Sequence, residues 1–184
     1  QKPMAITMSE ADRIVEAVNR HGVSFTMAWQ MRVDPQNLQI KELIDSGQVG
    51  QVFMVRRRHG LSTQLWDVAN MWHFDASLNR DIFADDAAHP IDFIYWLLGE
   101  PESVMAEISS LSSPLVPNDT GVALFRYADG RIAEVSCSFA CLAAENTTEV
   151  IGLNGTIVQN FGDAPSCNLP REEDAPGLKW YTKE

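Results

Sequence analysis

At 184 residues the chain is long enough for one ordinary domain and short for two. Its net charge of −11 and pI near 4.7 exclude the basic face that phosphate backbones require, so no nucleic-acid partner is expected. The composition is ordinary for a globular protein, 45% hydrophobic and 21% charged, and its longest apolar run, Phe93 to Leu98, is too short to span a bilayer. Cys137, Cys141 and Cys167 are odd in number and lack metal-ligand spacing, which favours free thiols in a reducing compartment. With no signal-peptide pattern at its start, the expectation is a soluble cytoplasmic protein without a membrane partner.

Lys2-Pro3 opens an extended segment, and Thr7 with Glu10 forms a T-x-x-E capping box ahead of a predicted helix. Ala11, Ile14, Val15 and Val18 mark the apolar face of that helix, and Gly22 follows its end. Val23 to Trp29 alternates with period two and predicts a strand. Such a helix–strand pair is what one α/β unit of a larger parallel sheet looks like. Arg32-Val-Asp-Pro35 turns the chain into a second helix from about Gln36 to Ser46, stopped by Gly47. From Gly50 the pattern is strand-like and carries the basic run Arg56-Arg57-Arg58-His59, whose neighbours must point to opposite faces. That run reads as sheet surface or substrate pocket. Gly60 to Leu78 is irregular and aromatic, with Trp66, Trp72, His73, Phe74 and Asp75, and reads equally as pocket wall or core cover.

A helix is predicted from near Asp85 to Gly99, with Ala84, Ala88, Ile91, Tyr95 and Leu98 recurring at helical spacing. Asp85, His89 and Asp92 are spaced i, i+4, i+7 and would share a face. An imidazole flanked by two carboxylates is a plausible proton-handling group, since those neighbours tune its affinity for a proton. The same pattern is also what a structural histidine beside a helix start looks like.

After Gly99 the pattern is all strand: Ser103 to Ser110, Thr120 to Tyr127 and Arg131 to Phe139, the last two joined across Ala128-Asp-Gly130. Thr147 to Leu153 and Thr156 to Phe161 are expected to meet at Asn154-Gly155. The sum is an α+β fold, helices followed by a mainly antiparallel sheet. Residues 162–184 read as a loop-like tail.

These landmarks in this order resemble the glucose–fructose oxidoreductase / inositol dehydrogenase (Gfo/Idh/MocA) family. Gln1-Lys2-Pro3 stands where that family has Glu-Lys-Pro. Arg32-x-x-Pro35, Lys41 and Ser46-Gly47-x-x-Gly50 match further positions, as does Asp85-x-x-x-His89-x-x-Asp92 followed by Trp96-Leu97-Leu98-Gly99-x-Pro101. The resemblance implies residues 1–29 as the last α/β unit of a dinucleotide-binding Rossmann domain. It implies residues 30–161 as a substrate-binding α+β domain, an open, mainly antiparallel sheet with helices on one face. No G-x-G-x-x-G loop occurs in the 184 residues.

The implied activity is NAD- or NADP-dependent transfer of hydride from a sugar or cyclitol hydroxyl. Lys2, Asp85 and His89 would be catalytic: Lys2 beside the hydroxyl, His89 taking its proton, Asp85 binding substrate or orienting His89. Asp92, Arg80, Trp72 and His73 would contact substrate, and Lys2 and Pro3 the cofactor. The sheet face would serve a homo-oligomer. Gln1 departs from the family's glutamate, and Asn79-Arg80-Asp81 from its glycine run, so that Arg80 could take an acidic sugar. A different class of reading is a non-catalytic small-molecule-binding or dimerisation domain. A metal site drawn from His59, His73, Asp75, Asp85 and His89 has suitable residue types but no tight ligand spacing, and no metal is expected.

Overall fold

The structure, a computed structural model, describes residues 2–63, 72–75, 77–111, 118–141, 146–160 and 177–182. Three helices, α1 (Met8–His21), α2 (Pro35–Asp45) and α3 (Ala88–Leu98), accompany seven strands. The strands are β1 (Val52–Gly60), β2 (Ser103–Ser109), β3 (Thr120–Arg126), β4 (Ile132–Ser138), β5 (Asn146–Gly152), β6 (Gly155–Asn160) and β7 (Leu178–Thr182). They form one open sheet in the order β2-β3-β4-β1-β5-β6-β7. Every pairing is antiparallel except β1 with β4, so the expected α+β fold with a mainly antiparallel sheet is what forms.

Alternation along the strands separates two faces. Val55, Arg57 and His59 of β1, Ala133, Val135 and Cys137 of β4, and Ala123 and Phe125 of β3 are buried on one of them. Phe93 and Ile94 of α3 and Ile40 of α2 close this core with Ile82 and Val49. Arg56 and Arg58 face the other way, Arg56 pairing with Glu149 across the β1–β5 ladder. α3 packs on β1 and β4 and on a 3-10 turn, Gln30–Val33, that follows α1. This packing places the α3 N-terminus over the central strand, beside the chain's own beginning.

Local chemistry explains the helix ends. Thr7 Oγ1 accepts from Glu10 N at 3.3 Å and Glu10 Oε2 accepts from Thr7 N at 3.0 Å, so the capping box forms as expected. Asp34 caps α2 through the amides of Gln36 and Asn37, with Pro35 at the first helical position. Gly22 ends α1 at φ 60°.

Four sequence expectations need correction. Val23 to Trp29 forms no strand: no described strand pairs with it, its end amide and carbonyl bonding instead to Val18 and Arg32, and Val23 and Phe25 are 56% and 49% exposed. α3 starts at Ala88, three residues after Asp85. Pro90 lacks the N–H that would bond the Asp86 carbonyl, which accepts from His89 N at 3.0 Å instead, and residues 82–87 form turns. The β5–β6 hairpin turns at Leu153-Asn154 rather than Asn154-Gly155. Leu153 N and Asn154 N bond the carbonyls of Gln51 and Val49, which fixes the turn one residue earlier. The loop-like tail contains β7, which pairs with β6 from Gly155↔Thr182 to Gln159↔Leu178. Lys179, Trp180 and Tyr181 suit an edge strand, and polar surroundings hid that signal. No described helix is long and apolar enough to cross a membrane.

Candidate active site

Asp85 is the hub of a buried polar cluster formed where the chain's beginning meets the α3 N-terminus. Its side chain is fully buried, so its charge requires partners. Lys2 Nζ donates to Asp85 Oδ1 at 2.8 Å and to the Asp85 carbonyl at 2.7 Å. His73 Nδ1 bonds Oδ2, and Asn79 Nδ2 donates to the same oxygen at 3.3 Å and to the His73 carbonyl at 2.9 Å. Trp72 stacks on His73 with ring centroids 3.9 Å apart. Trp66 and Gln1 lie outside the described residues.

His89, one helical turn beyond Asp85, is 5% exposed. Its Nε2 lies 3.4 Å from Gln30 Nε2, and Trp29 meets the ring edge-on at 6.1 Å. Its Nδ1 is buried without a hydrogen-bond partner among the described residues. Burial, reinforced by the Lys2 charge, brings the His89 pKa down to about 4, against the opposing pull of Asp86 and Asp85. The imidazole is therefore neutral near pH 7, with one ring nitrogen that makes no hydrogen bond among the described residues. Rotating the Gln30 amide offers Nε2 either a donor or an acceptor, so both neutral tautomers fit.

The remaining expected residues divide. Asp92 does not share a face with Asp85; Arg32 holds it through two bonds, Nε–Oδ2 at 2.8 Å and Nη2–Oδ1 at 2.6 Å. Arg80 donates from Nε to Asp81 Oδ2 at 2.8 Å, while its side chain remains 62% exposed. Both line a cavity of about 770 Å³ between the segment Pro3–Met8 and a wall made by Ala84 of the preceding turn with Ala88, Ile91 and Tyr95 of α3. Pro3 and Trp29 belong to its wall; Lys2, Asp85 and His89 stand beside it rather than on it. Among the described residues no group of three or more His, Cys, Asp and Glu side chains is arranged to hold a metal ion.

Sequence reasoning missed what lies beneath. Arg57 and His59, each 1% exposed, point inward from β1. Arg57 lies over the Phe93 ring at 3.9 Å and donates to Thr148 Oγ1 at 2.9 Å and Asn37 Oδ1 at 3.3 Å. It also donates from Nε to His59 Nε2 at 3.3 Å, and His59 Nδ1 meets Asp86 Oδ2 at 3.0 Å. Period-two counting from Val55 would have put both residues on the core face.

The fold and this cluster define a class: an α+β domain whose open seven-stranded sheet carries a polar site on its helix-covered face. The family model described as "GFO/IDH/MocA C-terminal domain" matches residues 37–158, and the chain belongs to that family. It is 29% identical over 101 residues to the inositol 2-dehydrogenase of Salmonella paratyphi B, covering 54% of this chain and 27% of that protein. It is 25% identical over 165 residues to the D-xylose 1-dehydrogenase [NADP(+)] of Haloarcula marismortui, covering 85% of this chain and 45% of that protein. The solved structure of the WlbA dehydrogenase from Bordetella pertussis, in complex with NADH and UDP-GlcNAcA, superposes with a TM-score of 0.81 at 26% identity. That match covers 100% of this chain and 55% of that one. The chain thus spans between about a quarter and a half of these relatives' lengths.

Proposed function

We propose that the chain is the substrate side of an NAD(P)-dependent oxidoreductase that oxidises a sugar or cyclitol hydroxyl. The observation that carries this reading is the convergence of Lys2, Asp85 and His89 at the edge of a cavity large enough for a sugar, in a family whose named relatives are dehydrogenases. Residues 1–29 are the closing piece of a dinucleotide-binding unit in this proposal, and residues 30–161 the substrate domain.

Oxidising a carbinol removes a hydride from carbon and a proton from oxygen, leaving a carbonyl. A nicotinamide held beside Lys2 and Pro3 would supply the hydride acceptor. With no G-x-G-x-x-G loop in the 184 residues, this chain offers such a cofactor only groups near its reactive end, Lys2 and Pro3. The neutral His89 imidazole takes the hydroxyl proton. Lys2, held by both oxygens of Asp85 that it reaches, polarises the same hydroxyl and stabilises developing negative charge on oxygen. Asp85 orients Lys2 and His73. Arg80 and Asp92, on the cavity wall, contact the sugar's distal groups. The exposed Arg80 side chain suits a carboxylate there, so uronates should be turned over in preference to neutral sugars.

The other sheet face carries Met105, Val122, Leu124 and Ile132, 69%, 38%, 41% and 42% exposed, and suits a second copy of the chain. Light scattering at micromolar concentration should then show at least a dimer. The functional reading is tested by following nicotinamide reduction with a panel of sugars, cyclitols and uronates, using the longest natural gene product that contains this sequence. Substrate-dependent reduction supports it. Tight sugar binding without reduction supports the non-catalytic alternative.

A further inference from the structure

Asp86 and His59 are both buried, and neither has a part in the reaction above. His59, on β1, is buried at 1% exposure beside β4 and the turn before α3. Its two ring nitrogens have fixed partners of opposite kind. Arg57 is only ever a donor, so at 3.3 Å its Nε–H requires a lone pair on His59 Nε2. The proton then resides on Nδ1, which donates to Asp86 Oδ2 at 3.0 Å. A second proton on His59 would face the Arg57 N–H directly.

We propose that Arg57 locks His59 as the neutral Nδ1–H tautomer, and that His59 thereby holds Asp86 as a permanent buried anion that strengthens His89 as a proton acceptor. The residues are positioning residues in this scheme. It rests on the reading of His89 as the proton acceptor, yet it can be tested without turnover.

The geometry favours this arrangement over a plain structural bond. Asp86 lies in the turn before α3, and its carbonyl accepts the His89 amide at 3.0 Å, which ties the two residues together at the helix start. When His89 takes a proton it becomes a buried cation next to the Lys2 ammonium, which disfavours it. The buried Asp86 anion beside the helix start offsets that repulsion. Among the described residues, the charged and titratable groups acting on His89 are Lys2 from the chain's beginning, Asp85 and Asp86 from the turns, and His59 from β1. Behind Asp86 stand Arg57 and Cys137 of β1 and β4. Of these, Asp86 is the strongest influence favouring the protonated form of His89, ahead of Asp85. His59 itself is held below the ordinary histidine value, by burial first. At neutral pH it therefore adds no charge of its own.

The test is nitrogen-15 NMR of the four imidazoles of the 184-residue chain, titrated between about pH 3 and pH 8, with Asp86→Asn and His59→Gln variants. In the unmodified chain His59 should show the Nδ1–H tautomer and take up its second proton only below the ordinary histidine range. Asp86→Asn should weaken proton binding at His89 by about tenfold or more. His59→Gln, whose amide can still donate to Asp86, should leave His89 much closer to its original value. A His59 that titrates near the ordinary value, or that shows the Nε2–H tautomer, overturns the proposal even if Asp86→Asn does not fold. So does a folded Asp86→Asn chain in which His89 titrates unchanged. In the complete enzyme, Asp86→Asn should lower kcat about tenfold with little change in KM. If instead His89→Gln leaves turnover intact, the functional reading fails while the NMR result still stands on its own.

Discussion

The Lys2 ammonium lies 2.8 Å from Asp85 Oδ1, tying together residues 83 positions apart in the sequence. Both side chains are shielded from water, at 12% and 0% exposure, so the contact behaves as a buried ion pair. Such pairs contribute modestly to net stability but are costly to break from one side. Replacing Lys2 by Met leaves Asp85 with only His73 and Asn79. We expect a loss of roughly 3 kcal/mol in urea unfolding, near the low end for a stripped buried charge. Lys2→Met with Asp85→Asn together should lose much less than the sum of the single changes. Additive losses would show that the two residues do not act as a pair.

Acid should loosen the fold through His89. Its pKa falls from 6.5 to about 4 on folding, so below pH 6.5 the unfolded chain takes up a proton that the folded site refuses. Stability is therefore complete above about pH 6.5 and declines as the pH falls toward 4, by about 3 kcal/mol from this residue. His59 is shifted in the same direction, with burial the leading cause, and adds to the slope. Unfolding midpoints in urea at pH 7 and pH 4.5 should differ clearly in the unmodified chain and less in His89→Gln.

Gly152 should tolerate no side chain. A Cβ there would fall 2.3 Å from the Val49 carbonyl oxygen, which is backbone and held by the Asn154 amide at 3.0 Å. Gly152→Ala must push the β5–β6 hairpin away from the Val49–Gln51 segment, at a cost of about 1–3 kcal/mol. Thermal unfolding should report this as a Tm several degrees lower. An unchanged Tm would mean that the hairpin is not anchored there.

Much of this fold was legible because its signals are local. The capping box of Thr7 and Glu10, the Asp34-Pro35 start and the Asp129-Gly130 turn each act over a few residues, and each forms as read. Apart from the α3 start, which Pro90 delays locally, what failed depended on partners distant in sequence. Val23 to Trp29 has the alternation of a strand but no described strand beside it, whereas the less obvious Leu178–Thr182 becomes a strand because β6 presents a free edge. The site shows the same division. The spacing of Asp85 and His89 was visible, but the Arg32–Asp92 and His59–Asp86 pairs bring together residues 60 and 27 apart, and no local pattern announces such pairs. The basic run Arg56 to His59 was seen as one feature, and the pleat makes it two: an outer ladder charge on Arg56 and a buried pair, Arg57 and His59.

In the proposed reaction His89 receives the substrate's hydroxyl proton. The most direct measurement is single-turnover nicotinamide reduction, followed by stopped flow in the complete enzyme, with His89→Gln compared to the unmodified protein. The variant's rate should be lower by about 10²–10⁴-fold, with substrate binding largely retained. A His89→Gln enzyme that reduces the nicotinamide at the original rate would contradict this role.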